Sequence, residues 1–396
     1  MKAIILGAGV IGGYAARCLV GFNELTEVCI ADINAQSAKE YAQTLGSITT
    51  YKQVDIYTPQ QLRQSLRGYD VVVNCVGPFY KNADLVIKAA IDEKVNFVDI
   101  CDDYDAAELL LSYNEKCKKA GITAIICAGA SPGMMNIFAA VGASKMQQAE
   151  EIDTSWIENS IDAVGAETVF YHAAHFVDGL IPQFLDGKQV NVPALSGKEE
   201  FDFPAIGKYP VYFVGHPEPV TIPRFIKGLK KVTNRGNGYP LSQDYKESFL
   251  GFLAQLGFTN KDIEVNVKGN MITPRDFLCS YLPIVLSSEL PEEFEVTDVE
   301  NMPHFITRVD VKGYNHGKPA QIIYFSTCEH TKIATGGTAA YIARLIVNGS
   351  MKTKGVMGPE ACVESMDQNN YFKYMKEHGV TMSEVIKTET ELGVSS

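Results

Sequence analysis

The sequence predicts an α/β fold: an N-terminal doubly wound parallel sheet, an inserted α+β domain, and a C-terminal segment that returns to the first sheet. Three observations predict it. Short apolar runs alternate with helical spacings through residue 130, the pattern of βαβ units. A Gly-rich turn joins the first run to the first helical stretch. After Gly129 the runs become longer and more polar, and His, Pro and Tyr become frequent, as in an α+β domain with a mostly antiparallel sheet. The expected boundaries are 1–130, 131–335 and 336–396.

The first six strands are expected at Ala3–Leu6, Val28–Ala31, Thr50–Val54, Val71–Val76, Phe97–Cys101 and Thr123–Ala128. Helical spacing fills Val10–Val20, Ala35–Leu45, Pro59–Leu66, Ala83–Glu93 and Ala106–Ala120. In the second domain, strands are expected at Val190–Val192, Tyr209–Val214 and Ile263–Val267, and loops at Gly215–Pro219 and Asn234–Pro240. Helices are expected at Tyr245–Leu256 and Pro274–Leu286. The latter has Thr273 as N-cap, Pro274 at its first position and Asp276 in its first turn. From Gly336 a small-residue helix runs through Ala339, Ala340 and Ala343, and an amphipathic segment spans Asn370–His378.

Composition narrows the function classes. Of 396 residues, 46% are hydrophobic and 21% charged, an ordinary globular mix. No apolar run reaches the roughly 18 residues that a membrane helix needs. The run from Met1 to Gly7 breaks too early for a signal peptide and reads as a buried strand of a cytoplasmic protein. Nine Cys without CxxC spacing fit a reducing compartment and argue against disulfides or zinc. The net charge of −12 argues against nucleic-acid and anionic-membrane partners.

Gly7-Ala8-Gly9-Val10-Ile11-Gly12 is a GxGxxG turn placed directly between a strand and a helix. Gly7 permits the tight turn, Gly9 lets the backbone approach a pyrophosphate, and Gly12 lets helix and strand pack closely. The anion then rests on the N–H groups of the helix N-terminus. Asp32 ends the second apolar run, at the interval where a carboxylate meets the ribose hydroxyls and repels a 2′-phosphate. No Arg follows in Ile33-Asn34, so NAD is favoured over NADP. Asp55 and Ile56 are expected beside the adenine. Cys75, Val76, Gly77 and Pro78 are expected beside the nicotinamide ribose, because ligands bind outside the carboxyl ends of such strands.

Val71–Phe79 and Phe97–Asp103 resemble the saccharopine dehydrogenase family. Pro132-Gly133-Met134-Met135-Asn136, Pro274-Arg275-Asp276 and Gly355–Glu360 resemble its lysine 6-dehydrogenase branch. The resemblance implies a Rossmann domain with an inserted substrate domain, usually a homodimer, and NAD(P)-linked chemistry at a carbon bearing an amine. The substrate implied is a small amino acid such as lysine or saccharopine. Ser131 departs from the family, whose saccharopine reductases carry Asp before Pro-Gly. Lys88 matches a Lys that the family places near the nicotinamide.

Amine oxidation needs a base, because a protonated nitrogen cannot expel hydride. A partly buried Lys with a lowered pKa serves, and Lys88 is the first candidate; the plainer reading is a solvated Lys on a helix. His172 and His175 are candidates for base or relay, and their spacing converges only on a helix. A metal is not expected there, since no acidic or Cys partner lies nearby in sequence. Arg224 and Arg235 bracket a basic stretch and are candidate carboxylate clamps, or else part of a solvated basic face. Arg275, in a helix first turn, opposes the dipole and calls for a carboxylate partner. The competing reading is a non-catalytic NAD(P)-binding redox sensor.

Overall fold

The computed structural model describes residues 1–158, 166–204, 206–238, 249–286 and 302–388. Among these, no helix is long and apolar enough to cross a membrane.

The first unit runs β1 (Lys2–Leu6), α1 (Val10–Val20), β2 (Glu27–Asp32), α2 (Ala35–Leu45), β3 (Thr49–Gln53), α3 (Pro59–Leu66), β4 (Val71–Asn74), α4 (Phe79–Glu93), β5 (Asn96–Asp99), α5 (Tyr104–Leu111), α6 (Asn114–Ala120) and β6 (Thr123–Ile125). β1 and β4 are buried nearly throughout, as strands covered on both faces must be. The chain then continues through α7 (Met134–Ser144), β7 (Gln148–Glu158), α8 (Ala166–Phe176), β8 (Leu180–Leu185), β9 (Lys188–Pro193), β10 (Glu199–Phe203), β11 (Gly207–Phe213) and α9 (Glu218–Phe225). β12 (Lys231–Gly238), α10 (Phe249–Gln255), the hairpin β13 (Val265–Val267) and β14 (Asn270–Ile272), and α11 (Pro274–Leu286) follow. The last part holds β15 (Phe305–Asn315), β16 (Lys318–Cys328), α12 (Thr331–Val347), β17 (Gly355–Met357), α13 (Gln368–Glu377) and β18 (Thr381–Thr388).

The parallel sheet has the order β17-β6-β5-β4-β1-β2-β3. Six of its strands were expected. The seventh, β17, comes from the C-terminal segment and pairs with β6, Gly355 against Thr123. The return of the chain is therefore literal: it completes the first sheet. α12 lies on α1 so closely that a Cβ on Gly336 would sit 3.0 Å from Ala15 N and 3.1 Å from Ile11 O. That approach explains the small-residue composition of the helix, and it carries Thr331 and Thr335 to the mouth of the Gly-rich turn. The helix starts at Thr331, earlier than Gly336 suggested.

The second sheet follows the path β10-β11-β12-β7-β15-β16-β18, with β8 on β12 and β9 on β8. It is antiparallel except for β12 beside β7. The stretch 234–238, expected as a loop, is the buried interior of β12. Only Phe249–Gln255 of the expected helix Tyr245–Leu256 is a described helix, and residues 245–248 lie outside the described residues. α11 has the expected bounds: Thr273 Oγ1 accepts from Asp276 N at 3.0 Å and donates to Asp276 Oδ2 at 2.8 Å. No cysteine forms a disulfide and all but Cys75 are buried, as apolar-run cysteines tend to be.

Candidate active site

The Gly-rich turn has the geometry a dinucleotide needs. Gly7 has φ +97°. A Cβ on Gly12 would stand 1.9 Å from Gly7 O, whereas one on Gly9 would meet nothing within 4 Å. The first contact forces glycine, and the second leaves open space beside the uncapped start of α1. Asp32 Oδ2 accepts from Ala8 N at 2.7 Å and Oδ1 accepts from Asn34 N at 2.8 Å. The carboxylate thus holds the turn and keeps lone pairs for a ribose. A groove beside it is lined by Gly7, Gly9, Asp32, Ile33, Asp55, Ile56, Cys75, Val76 and Gly77. Val54 and Tyr57, not singled out in the sequence, also line it. Val10 opens α1, while Ile11 and Pro78 face the adjoining cleft. These residues fit a nicotinamide dinucleotide, which would lie along the groove with its pyrophosphate at the turn.

At Cys75 and Gly77 the groove meets a second cleft. Its apolar lining includes Ile11, Phe79, Ile100, Trp156 and Phe305. Its polar lining comprises Asp102, Asp103, Ser131, Glu158, His172, His216, Thr331 and Thr335, with no Lys or Arg among the described residues. Burial pushes the Cys75 thiol up to about 12, which excludes it as a nucleophile near neutral pH.

His172, on α8, brings Nδ1 to 3.3 Å from Asp102 Oδ2 and 3.9 Å from Asp103 Oδ1. Burial opposes its protonation, but the two carboxylates prevail and raise it to about 9. Asp103 Oδ2 accepts from Tyr80 N at 2.8 Å, and its Oδ1 is buried without a partner. Burial works against ionising Asp103, yet the facing histidines hold its carboxyl low. Asp102 is shifted upward by burial. The sequence argument against a metal, that His172 lacks acidic partners, is corrected: the three residues place donor atoms within 4.8 Å of one another. Chain folding supplied partners some 70 positions away. His172 and the two carboxylates thus form a cluster of converging charged groups.

His216 and Glu218 escaped the sequence reading. His216 Nδ1 lies 3.2 Å from Glu218 Oε2, and both side chains are buried. Ser131 Oγ donates to Glu218 Oε1 at 2.6 Å. The carboxylate missing at position 131 is thus delivered to the same turn by α9. His216 Nε2, on the far side of the ring from Glu218, lines the cleft without a hydrogen-bond partner. The Pro132–Asn136 motif braces this turn: Asn136 Oδ1 accepts from Gly133 N at 2.8 Å, and its Nδ2 donates to Glu360 Oε1 at 2.6 Å. Asp99 Oδ1 accepts from Cys101 N at 3.1 Å and Cys127 N at 2.8 Å, tying together the loops that follow β5 and β6. A sequence signal for the pair existed, His216-Pro217-Glu218 before a helix, but nothing local assigned it to the cleft.

The other expected residues lie elsewhere. Lys88 is exposed on α4 and ion-paired with Asp84, which raises its pKa. The expected desolvated, lowered Lys is corrected, since the helix turns it to solvent. Arg224 is exposed near the end of α9. Arg235 is corrected from a loop clamp to a sheet residue. It is buried, with Nη2 2.7 Å from Glu199 Oε1, Nη1 2.8 Å from Thr233 Oγ1 and Nε 3.0 Å from Gly197 O. His175, one turn after His172, faces away from the cleft. Its Nε2 lies 3.0 Å from Asp105 Oδ1 and its Nδ1 accepts from Arg275 Nη1 at 2.9 Å, between the rings of Tyr80 and Tyr104. Arg275 has the carboxylate partner it called for, Asp178, at 2.8 Å.

Residues 3–125 match the family model described as the saccharopine dehydrogenase NADP binding domain, and residues 129–380 match the saccharopine dehydrogenase C-terminal domain. This chain belongs to the saccharopine dehydrogenase family. It is an NAD(P)-binding oxidoreductase of that family. Among curated relatives, the carboxyaminopropylagmatine dehydrogenase of Synechocystis sp. is 23% identical over 97% of this chain and 98% of that protein. The carboxynorspermidine synthase of Vibrio cholerae is 27% identical over 72% of this chain and 73% of that protein. Among solved structures, the apo saccharopine dehydrogenase (L-Glu forming) of Saccharomyces cerevisiae superposes with a TM-score of 0.68 at 15% identity. It covers 97% of this chain and 99% of that one, a likeness of fold.

Proposed function

We propose that this family member makes or cleaves the C–N bond of a secondary or primary amine on a cationic, amino-acid-bearing substrate, with NAD preferred over NADP. The supporting observation is the charge of the cleft: Asp102, Asp103, Glu158 and Glu218 stand around it and, among the described residues, no Lys or Arg lines it. A multiply anionic substrate such as saccharopine would meet like charge, which costs several kcal/mol. Lysine or a carboxylated polyamine would meet opposite charge. The names of the Synechocystis and Vibrio relatives point the same way. Asp32 supports the NAD preference, because a 2′-phosphate would face its carboxylate.

In the oxidative direction a secondary amine, oxidised NAD and water give an aldehyde, a primary amine, NADH and a proton. The hydride leaves the carbon beside the nitrogen, and water then cleaves the resulting carbon–nitrogen double bond. When bound, the nicotinamide accepts or returns the hydride. His216 takes the proton from the substrate ammonium at Nε2, held in the right tautomer by Glu218. His172, kept protonated by Asp102 and Asp103, gives a proton to the departing nitrogen. Phe79, Trp156 and Phe305 limit water around the reacting carbon.

The test is NADH formation by purified protein, with NAD and NADP in parallel, on a carboxylated polyamine, lysine and saccharopine. The expected result is turnover of a cationic substrate with NAD. Saccharopine should have a kcat/KM about 100-fold lower, the factor that about 2.8 kcal/mol of charge repulsion gives. Saccharopine as the best substrate would refute the reading. Tight coenzyme binding by calorimetry with no turnover would favour the sensor.

A further inference from the structure

The cleft has more acid than its chemistry uses. His172 pairs with Asp102 and Asp103 and His216 with Glu218, whereas Glu158 shares the charge of His172 from a distance and makes no ion pair among the described residues. Glu158 ends β7, where it faces Phe305 across the β7–β15 ladder. Its Oε1 accepts from Thr331 Oγ1 at 2.6 Å, so the N-terminus of α12 fixes the carboxylate in place. Trp156, two residues earlier on the same strand, also lines the cleft, as does Phe305, so apolar surface stands beside the charge. Nearly buried polar atoms mark the same cavity as built for a ligand. His216 Nε2 lines it from a side chain 2% exposed and has no hydrogen-bond partner, and Asp103 Oδ1, equally buried, has only the His172 ring at 3.9 Å. Three carboxylates that share the one charge of His172 are costly to keep from water unless a ligand brings more positive charge.

We propose that Glu158 is an ammonium subsite that reads a second cationic nitrogen of the substrate, distinct from the nitrogen that reacts. The ligand class is a diamine or polyamine whose amines are separated by a short methylene chain. The chain lies along Trp156 and Phe305, the terminal ammonium donates to Glu158, and the other nitrogen lies at His216 Nε2. This rests on the reading of the cleft as a C–N oxidoreductase site for cationic substrates. It adds that one charge is read for selectivity alone. Glu158 is then a specificity residue, with no proton to transfer.

Calorimetry on the full chain loaded with coenzyme tests it without requiring turnover. Propane-1,3-diamine and n-propylamine are the probes, on wild type, Glu158→Gln and Glu158→Asp. Wild type is expected to bind the diamine about 30-fold tighter than the monoamine, and Glu158→Gln to lose that preference. Glu158→Asp, which keeps the charge, should retain most of it. Coenzyme affinity equal to wild type in each variant shows that the fold is intact. A preference for the diamine that survives in Glu158→Gln overturns the inference and leaves the cationic-substrate reading standing. Equal binding of both amines by wild type overturns the inference alone, and binding of neither overturns the cationic-substrate reading with it.

Discussion

Replacing Asp102 with Asn tests the charge cluster directly. The change is nearly isosteric and removes the carboxylate 3.3 Å from His172 Nδ1, leaving Asp103 at 3.9 Å. The histidine stands at about 9 against an ordinary 6.5. At about 1.36 kcal/mol per tenfold change, that displacement corresponds to about 3 kcal/mol of preference for the protonated ring. Asp102 is the largest of the raising influences, so Asp102→Asn should lower the His172 pKa by at least about one pH unit. The sign for stability follows from linkage. A pKa raised on folding contributes stability that is complete below the unfolded value of 6.5 and is lost as pH rises through about 9. Wild type should therefore lose unfolding free energy between about pH 6.5 and 9.5 relative to His172→Gln, and Asp102→Asn should lose less. The assay is an NMR titration of the histidine ring protons, assigned with His172→Gln, alongside urea unfolding at both pH values. In the proposed acid role, the alkaline limb of kcat should move down with the ring pKa. A wild-type His172 that titrates near its ordinary value, or one indifferent to Asp102→Asn, would refute the reasoning.

Two further outcomes follow from contacts on the page. Gly12→Ala puts a methyl 1.9 Å from Gly7 O, so the turn must open; NADH titrated against the fluorescence of Trp156, the single tryptophan, should bind about 100-fold more weakly, and a dissociation constant within about threefold of wild type would contradict it. Arg275→Met leaves Asp178, His175 Nδ1 and Thr259 O without their buried donor, and urea unfolding should register a loss of about 3 kcal/mol, against less than about 1 if the guanidinium is dispensable.

The cofactor half was readable because its determinants are local. A turn that must pass close to its own backbone requires Gly12, and a carboxylate at the end of β2 can come only from Asp32. Strand, turn and helix lie within a few residues, and each leaves a periodic or conformational mark on the chain. The cap at Thr273 was readable for the same reason: its partner is three positions on.

The acid–histidine cleft proposed as the reaction site was not, because its pairs join distant segments. Ser131 meets Glu218 across 87 positions, and Asn136 meets Glu360 across 224. Charge type alone could not separate Lys88, turned outward on α4, from a buried base. Nor could it separate Arg235, locked inside β12, from a ligand clamp. Periodicity tells which face of a strand or helix is apolar; it does not tell which other element covers that face. By itself the sequence determined the nucleotide turn, the alternation of strand and helix, and the need for α12 to pack closely. Only the tertiary structure decided which acids meet which histidines, because burial and charge pairing are properties of the assembled layers.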